Sequence, residues 1–166
     1  MNTIEFFAIG IPKGQPRPKA FNRGKHAAVY TPGTAEHWKS DVARSWQQIG
    51  SPICPDVPLK ITLVFHFPRP KSHFNSKGEV KPTAPIYHTS TPDADNAAKA
   101  VLDALTHLST WRDDSIVCVM NVSKLYGSPA GCFIRIEDAP ATIEQCQIAC
   151  QTMSLTLQDG QSSSPK

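Results

Sequence analysis

Apolar positions along this chain switch from a period of two to a period near four and back, and each switch marks an element. IEFFAIG at the start is short, β-branched and aromatic and stops at Gly10 and Pro12, which predicts a first strand. The stretch that follows, IPKGQPRPKAFNRGKHAAVYTP, holds proline and glycine too often for a helix or a central strand, so residues 11–32 are expected to form an arm or loop. Thr34 is placed to cap the next element, where Trp38, Val42, Ser45/Trp46 and Ile49 recur at helical spacing up to Gly50. LKITLVFHF, from Leu59 to Phe67, is a half-buried strand between Pro58 and Pro68. Residues 68–92 have no apolar period, and a loop of that length inside a domain is usually functional or mobile. Ala98, Val101, Leu102, Leu105 and Leu108 then draw the stripe of an amphipathic helix. SIVCVMNVSKLY and CFIRIE, separated by GSPAG, predict two strands joined as a hairpin.

The predicted order is therefore β-α-β-α-β-β. It implies an α/β fold, a two-layer sandwich whose mixed sheet carries two helices on one face. A chain of 166 residues is one domain's worth. That domain is expected over residues 1–137, with a C-terminal extension at 138–166 that forms one short helix through TIEQCQIAC and ends in a disordered tail. No apolar run approaches a bilayer span, and the first residues carry an acid and no basic n-region, unlike a signal peptide. The expectation is a cytoplasmic protein with no membrane partner.

Five cysteines without CxxC spacing argue against a disulfide framework. Cys146 and Cys150 stand four apart, but no nearby histidine or cysteine completes a tetrahedral zinc set. His66, His73, His88 and His107 lack partner spacing and are assigned no role. The net charge of +3 matters less than its placement. No acid lies between Glu5 and Glu36, whereas Lys13, Arg17, Lys19, Arg23 and Lys25 fall close together as a local basic patch.

The chemistry concentrates in TPDADNAAKAVLDALTHLSTWRDD, residues 91–114, which holds five aspartates and no glutamate. Asp93 and Asp95, two apart, share a side if the segment is extended, and Asp95 is also placed to cap the helix. Lys99 and Asp103 follow at four-residue steps on the face opposite the apolar stripe. Asp113 and Asp114 close the segment as neighbouring carboxylates that repel unless turned apart or neutralised. Two readings stay open on spacing alone: a solvated ion-pair ladder with structural aspartates, or an all-oxygen site for a hard cation such as magnesium. The second implies phosphoryl transfer or phosphodiester hydrolysis, with Lys99 one turn away to contact the phosphate.

PDADNAAKAVLDAL followed by WRDD resembles the signature of RusA-type Holliday junction resolvases, a bacterial and prophage family, and GQPRPKAFNRG resembles that family's basic arm. The resemblance covers roughly residues 4–137. It implies that Asp93, Asp95 and Asp114 bind catalytic Mg2+, that Lys99 is the essential lysine, and that Asp103 and Asp113 support them. One departure is Ala97, where the family carries a larger aliphatic residue that packs rather than reacts. The resemblance also implies a homodimer, whose twofold symmetry supplies two identical sites for paired nicks in a four-way junction. Lys13, Arg17, Lys19, Arg23 and Lys25 would then neutralise DNA phosphates, and Phe21 and Tyr30 either stack on bases or, as the favoured reading, anchor the arm to the core. The expected activity is hydrolysis leaving 5′-phosphate and 3′-hydroxyl ends. The alternatives are a non-catalytic DNA-binding protein of a prophage that keeps the fold, and a less selective branched-DNA endonuclease.

Overall fold

Strand β4, Leu59–Phe67, organises the molecule because its alternation is complete: Leu59, Ile61, Leu63, Phe65 and Phe67 are buried and the residues between them only half so. The computed structural model describes residues 3–16, 19–23, 26–30, 33–140 and 142, and over 19–23 and 26–30 it is the backbone that is described. The elements are β1 (Ile4–Ile9), β2 (Lys19–Arg23), β3 (His26–Tyr30), α1 (Glu36–Gln48), β4, α2 (Ala94–His107), β5 (Val117–Tyr126) and β6 (Gly131–Asp138). The main sheet runs β1-β6-β4-β5, with β6 antiparallel to both neighbours and β5 parallel to β4. A mixed sheet with two helices packed on one face is what the periodicity predicted.

Both helices bury their apolar stripes on the face that β4 presents. Trp38, Val42 and Trp46 of α1 and Ala97, Ala98, Val101 and Leu105 of α2 join Phe6, Ile134, Ile136 and the buried residues of β4 in one core. Ala97 is fully buried, so the departure from the family's larger residue is a packing matter. Residues with small side chains at 97, 98, 100 and 104 let α2 lie close to its neighbours.

Three expectations need correction. The residues of the arm are not all loop: Lys19–Arg23 pairs with His26–Tyr30 as a separate antiparallel ribbon, so two strands are added to the predicted order. The closing hairpin does not form, because β6 inserts between β1 and β4 while β5 lies on β4's other side. With Cys118, Met120, Asn121 and Ser123 exposed, β5 has the polarity of an edge strand, whereas Cys132, Ile134 and Ile136 make β6 an inner one. The connection must then pass the end of β4, and glycine makes the close approach possible: a Cβ on Gly127 would stand 2.7 Å from the His66 ring, and one on Gly131 would strike the Ala8 carbonyl. Finally, α1 starts after Ala35, with no side-chain cap from Thr34 or any other residue.

The loop at 68–92 is folded onto the sheet. It carries a short 3-10 turn at Lys71–His73, a bridge between Phe74 and Val80, and an Asn75 side chain that accepts from the amides of Lys77 and Glu79. Its far end is pinned to β5 by Tyr126 N–H donating to Ile86 and His88 N–H donating to Lys124. The extension expected to form a helix and tail lies outside the described residues from 143 onward, as do Cys146 and Cys150. Among the described residues no helix is long and apolar enough to cross a membrane.

Candidate active site

Helix α2 begins two residues earlier than its sequence suggests. Asp93, not Asp95, is the N-cap, with extended backbone at φ −63° and ψ 155°, and its carbonyl accepts from Ala97 N–H at 2.9 Å. Asp95 is already in the first helical turn, so the two carboxylates are not strand neighbours sharing a side. The Asp93 carboxylate makes no capping hydrogen bond, although this is the position where aspartate usually makes one. Both side chains are exposed at the helix end where backbone N–H groups and the helix dipole favour negative charge.

The downstream acids behave differently. Lys99 Nζ donates to Asp103 Oδ1 at 2.8 Å and lies 3.6 Å from Asp114 Oδ2. The hydrogen bond to Asp103, reinforced by the charges of Asp103 and Asp114 against a smaller desolvation cost, pushes the Lys99 ammonium above its ordinary pKa. Asp113 and Asp114 resolve their repulsion by turning apart. Asp113 accepts from Ser115 N–H at 2.9 Å and caps the 3-10 turn Asp114–Ile116 that feeds β5. The Ser115 side chain, and then this amide, hold its carboxyl below the usual range.

The six side chains thus fall into two sets: Asp93 and Asp95 at the start of α2, and Asp103 and Lys99 further along it in an ion-paired row with Asp114 of the following 3-10 turn, which Asp113 caps. Among the described residues no three His, Cys, Asp or Glu side chains converge closely enough to hold a metal ion. The donor chemistry still suits a hard cation, since Asp93, Asp95 and Asp114 are all carboxylates and Asp93 withholds its oxygens from the helix.

Next to Asp93 opens a cleft of about 630 Å3. One wall is the strap Ile11–Pro16, which Gln15 N–H ties to the Asn96 carbonyl at 2.9 Å. Gly14 fits there because a Cβ would stand 2.9 Å from Pro92 Cβ and 3.2 Å from Asn96 Cβ. The strap places Lys13, exposed, in the cleft lining. Of the other basic residues expected to meet DNA, Lys19 and Arg23 lie on β2, where only the backbone is described, and Arg17 and Lys25 lie outside the described residues. Phe21 and Tyr30 sit on β2 and β3, again as backbone.

A match to the RusA endodeoxyribonuclease family spans residues 10–137, most of the chain. The chain belongs to that family. It is also 31% identical over 143 residues to YqaN of Bacillus subtilis (strain 168), described as an uncharacterized protein, a match covering 85% of this chain and 100% of that one. Membership in the RusA family makes DNA cleavage the coarse activity and branched DNA the substrate class.

Sequence reasoning missed several residues near this site. Gln15, Asn96 and Lys124 drew no notice, and His88 was assigned no role although it lines the cleft. Only Gly14 and Pro16, flanking Gln15 in a run of prolines, carried any signal that the strap is fixed. The other three histidines assigned no role pack locally: His107 Nδ1 meets the Asp103 carbonyl at 2.5 Å, His66 packs on Phe7 and His73 on Tyr126.

Proposed function

We propose that this RusA-family protein is a Mg2+-dependent endonuclease that resolves four-way DNA junctions by paired nicks, acting as a homodimer. The observation that carries the reading is the combination of Asp93, which makes no capping bond, and Asp95 at the start of α2 with the pair that Lys99 of that helix forms with Asp114 of the 3-10 turn before β5, in a chain matched to this family over residues 10–137. Asp93, Asp95 and Asp114 would hold the metal, and bound Mg2+ would neutralise phosphate charge and lower the pKa of a water for attack. For Asp114 to contribute, it must release Lys99, whose 3.6 Å contact is the longer of its two. Lys99, its pKa raised by Asp103, stays protonated and meets the phosphate as a cation, not as a base. Asp103 keeps that ammonium in place and Asp113 fixes the turn that presents Asp114. Lys13, and beyond it Arg17, Lys19, Arg23 and Lys25 of the arm, supply sequence-independent phosphate contacts.

Purified protein with Mg2+ and a four-way junction should yield paired nicks with 5′-phosphate and 3′-hydroxyl ends, and a linear duplex at the same salt should be cut far less. Asp93→Asn and Asp114→Asn should bind the junction and leave it whole. A second reading, a DNA-binding protein that keeps the fold without cutting, draws on the separation of Asp93 and Asp95 from the ion-paired row. Binding without any metal-dependent cleavage by the unaltered chain would favour it.

A further inference from the structure

The cleft beside Asp93 is a constructed site, and its walls come from segments that the acidic motif does not explain. The strap is locked to α2 by the Gln15 amide and by the fit of Gly14 against Pro92 and Asn96. Another wall is the end of the long loop, held by Lys124, whose ammonium donates to the Ser90 and Pro92 carbonyls at 2.7 and 2.6 Å. His88 stacks on Phe67 at 3.9 Å and 13° and meets Tyr126 edge-on at 5.0 Å, so its ring is fixed in the wall. Burial, and then the nearby Lys124 charge, lower the His88 pKa and keep the imidazole neutral near pH 7.

Two polar atoms in this lining have no hydrogen-bond partner among the described residues. Gln15 Oε1 and His88 Nδ1 are both buried and both without a hydrogen bond. Leaving a buried acceptor unmet costs free energy, so such atoms in the walls of an open cleft point to a ligand that supplies donors or acceptors. The chemistry of the cleft indicates which ligand. Its volume lies in the ~300–1,000 Å3 range of small-molecule sites. Pro68 and Pro92 offer apolar surface, Phe67 and Pro12 themselves being buried, and the Gln15 and Asn96 amides can each donate and accept, the pattern needed to read a base edge. Among the described residues the charged lining is Lys13 and Asp93, which suits a nucleotide whose phosphate lies at the mouth and whose base lies within.

We propose that this cleft seats one nucleobase of the strand to be cut, unstacked at the branch point, and that Gln15, with Asn96 and His88 beside it, sets which base is accepted. The inference rests on the nuclease reading for its substrate, and it gives the loop at 68–92 a function: its last residues form the wall of a specificity pocket. Because Asp93 belongs to both the cleft and the acidic set, the seated base adjoins the phosphate that is cut. Branch points are where a base leaves the stack at least cost, since its pairing and stacking are already incomplete. Selection of junctions over duplex and selection of sequence then come from the same event.

The test places 2-aminopurine, in separate junctions, at each nucleotide flanking the crossover, and reads its emission at saturating protein in Ca2+, so that neither affinity nor cleavage enters. One position should brighten severalfold over the free junction, and Gln15→Leu should return it towards the free value. In Mg2+, a junction pool randomised at those positions should be cut with a base preference that Gln15→Leu flattens and Gln15→Glu moves to a different base. Emission unchanged at every position with the junction bound overturns the proposal, as does an identical base distribution for wild type and both variants. Brightening without any cleavage keeps the cleft and removes the nuclease reading, so the two fail separately. Circular dichroism of each variant, expected to match wild type, guards against misfolding, and the Ca2+ emission of Asn96→Ala gives a second route to the same pocket.

Discussion

The two ends of the acidic segment show what a satisfied carboxylate looks like beside an unsatisfied one. Downstream, Asp103 holds Lys99, Lys99 reaches Asp114, and Asp113 caps the turn below it, so the charges there already have protein partners. Upstream, Asp93 occupies the best capping position of α2 and does not cap, next to a cleft whose Gln15 and His88 atoms are also unmet. Both ends are acidic in the sequence, but the fold spends one set on itself and leaves the other open to solvent. That asymmetry is what a helix used as a spacer between a structural support and a binding edge would produce.

The largest effect should follow removal of charge at the open end. Asp93→Asn should cut the rate of junction cleavage by at least ~100-fold, since losing several kcal/mol of metal-borne stabilisation is worth a factor of ten for every ~1.4 kcal/mol. Its melting temperature should stay within a degree or so, because asparagine caps as well as aspartate and no capping bond is lost. Single-turnover cleavage and a thermal melt on the same sample check both halves, and a large loss of stability would show that Asp93 supports the fold after all. Next, Gly14→Val should force the strap off α2. Its branched side chain would have to occupy space 2.9 Å from Pro92 Cβ, and overpacking of that kind costs about 1–3 kcal/mol. Exchange of the Gln15 amide proton, protected by the Asn96 carbonyl, should become fast while amides in β4 stay slow.

A smaller effect, confined to stability, is expected at the satisfied end. Asp113→Ala should lower the melting temperature at pH 7, where the ionised carboxylate holds the Ser115 amide. The carboxyl's folded pKa lies below its unfolded one, so its contribution is complete above the unfolded pKa and fades as pH falls through the folded value. Melts of wild type and variant should therefore converge in strong acid, and a gap that persists there would mean that the cap acts through something other than charge.

Much of this arrangement could be read from the chain. The period-two run in Leu59–Phe67 and the stripe from Ala98 to Leu108 identified the central strand and the site helix, because burial on one face enforces periodicity. The acidic cluster could be read for the opposite reason, since solvent-facing aspartates at helical steps are not needed for packing. What could not be read was spatial order. Nothing in CFIRIE says that it inserts beside LKITLVFHF and not beside its own neighbour in sequence, because strand partners are chosen by the whole sheet. The cleft was hidden for a related reason: Gln15, His88, Asn96 and Lys124 come from four separate segments and share no spacing.

The smallest expected effect decides what Asp103 is for. Asp103→Asn removes the main partner of Lys99, an exposed pair on a helix, and such pairs are worth only ~0.3–0.5 kcal/mol. The folded pKa of Lys99 is raised by this pair, so the stabilisation is present below the unfolded lysine pKa and lost as pH rises through the folded one. Wild type and Asp103→Asn should differ slightly at pH 7 and not at all in strong alkali. If Asp103 is support for the ammonium alone, cleavage should fall modestly, and raising Mg2+ should not recover it, because Lys99 rather than the metal has lost its anchor. Recovery by added Mg2+ would instead make Asp103 a metal ligand and move the boundary between the two sets one turn towards the helix's end.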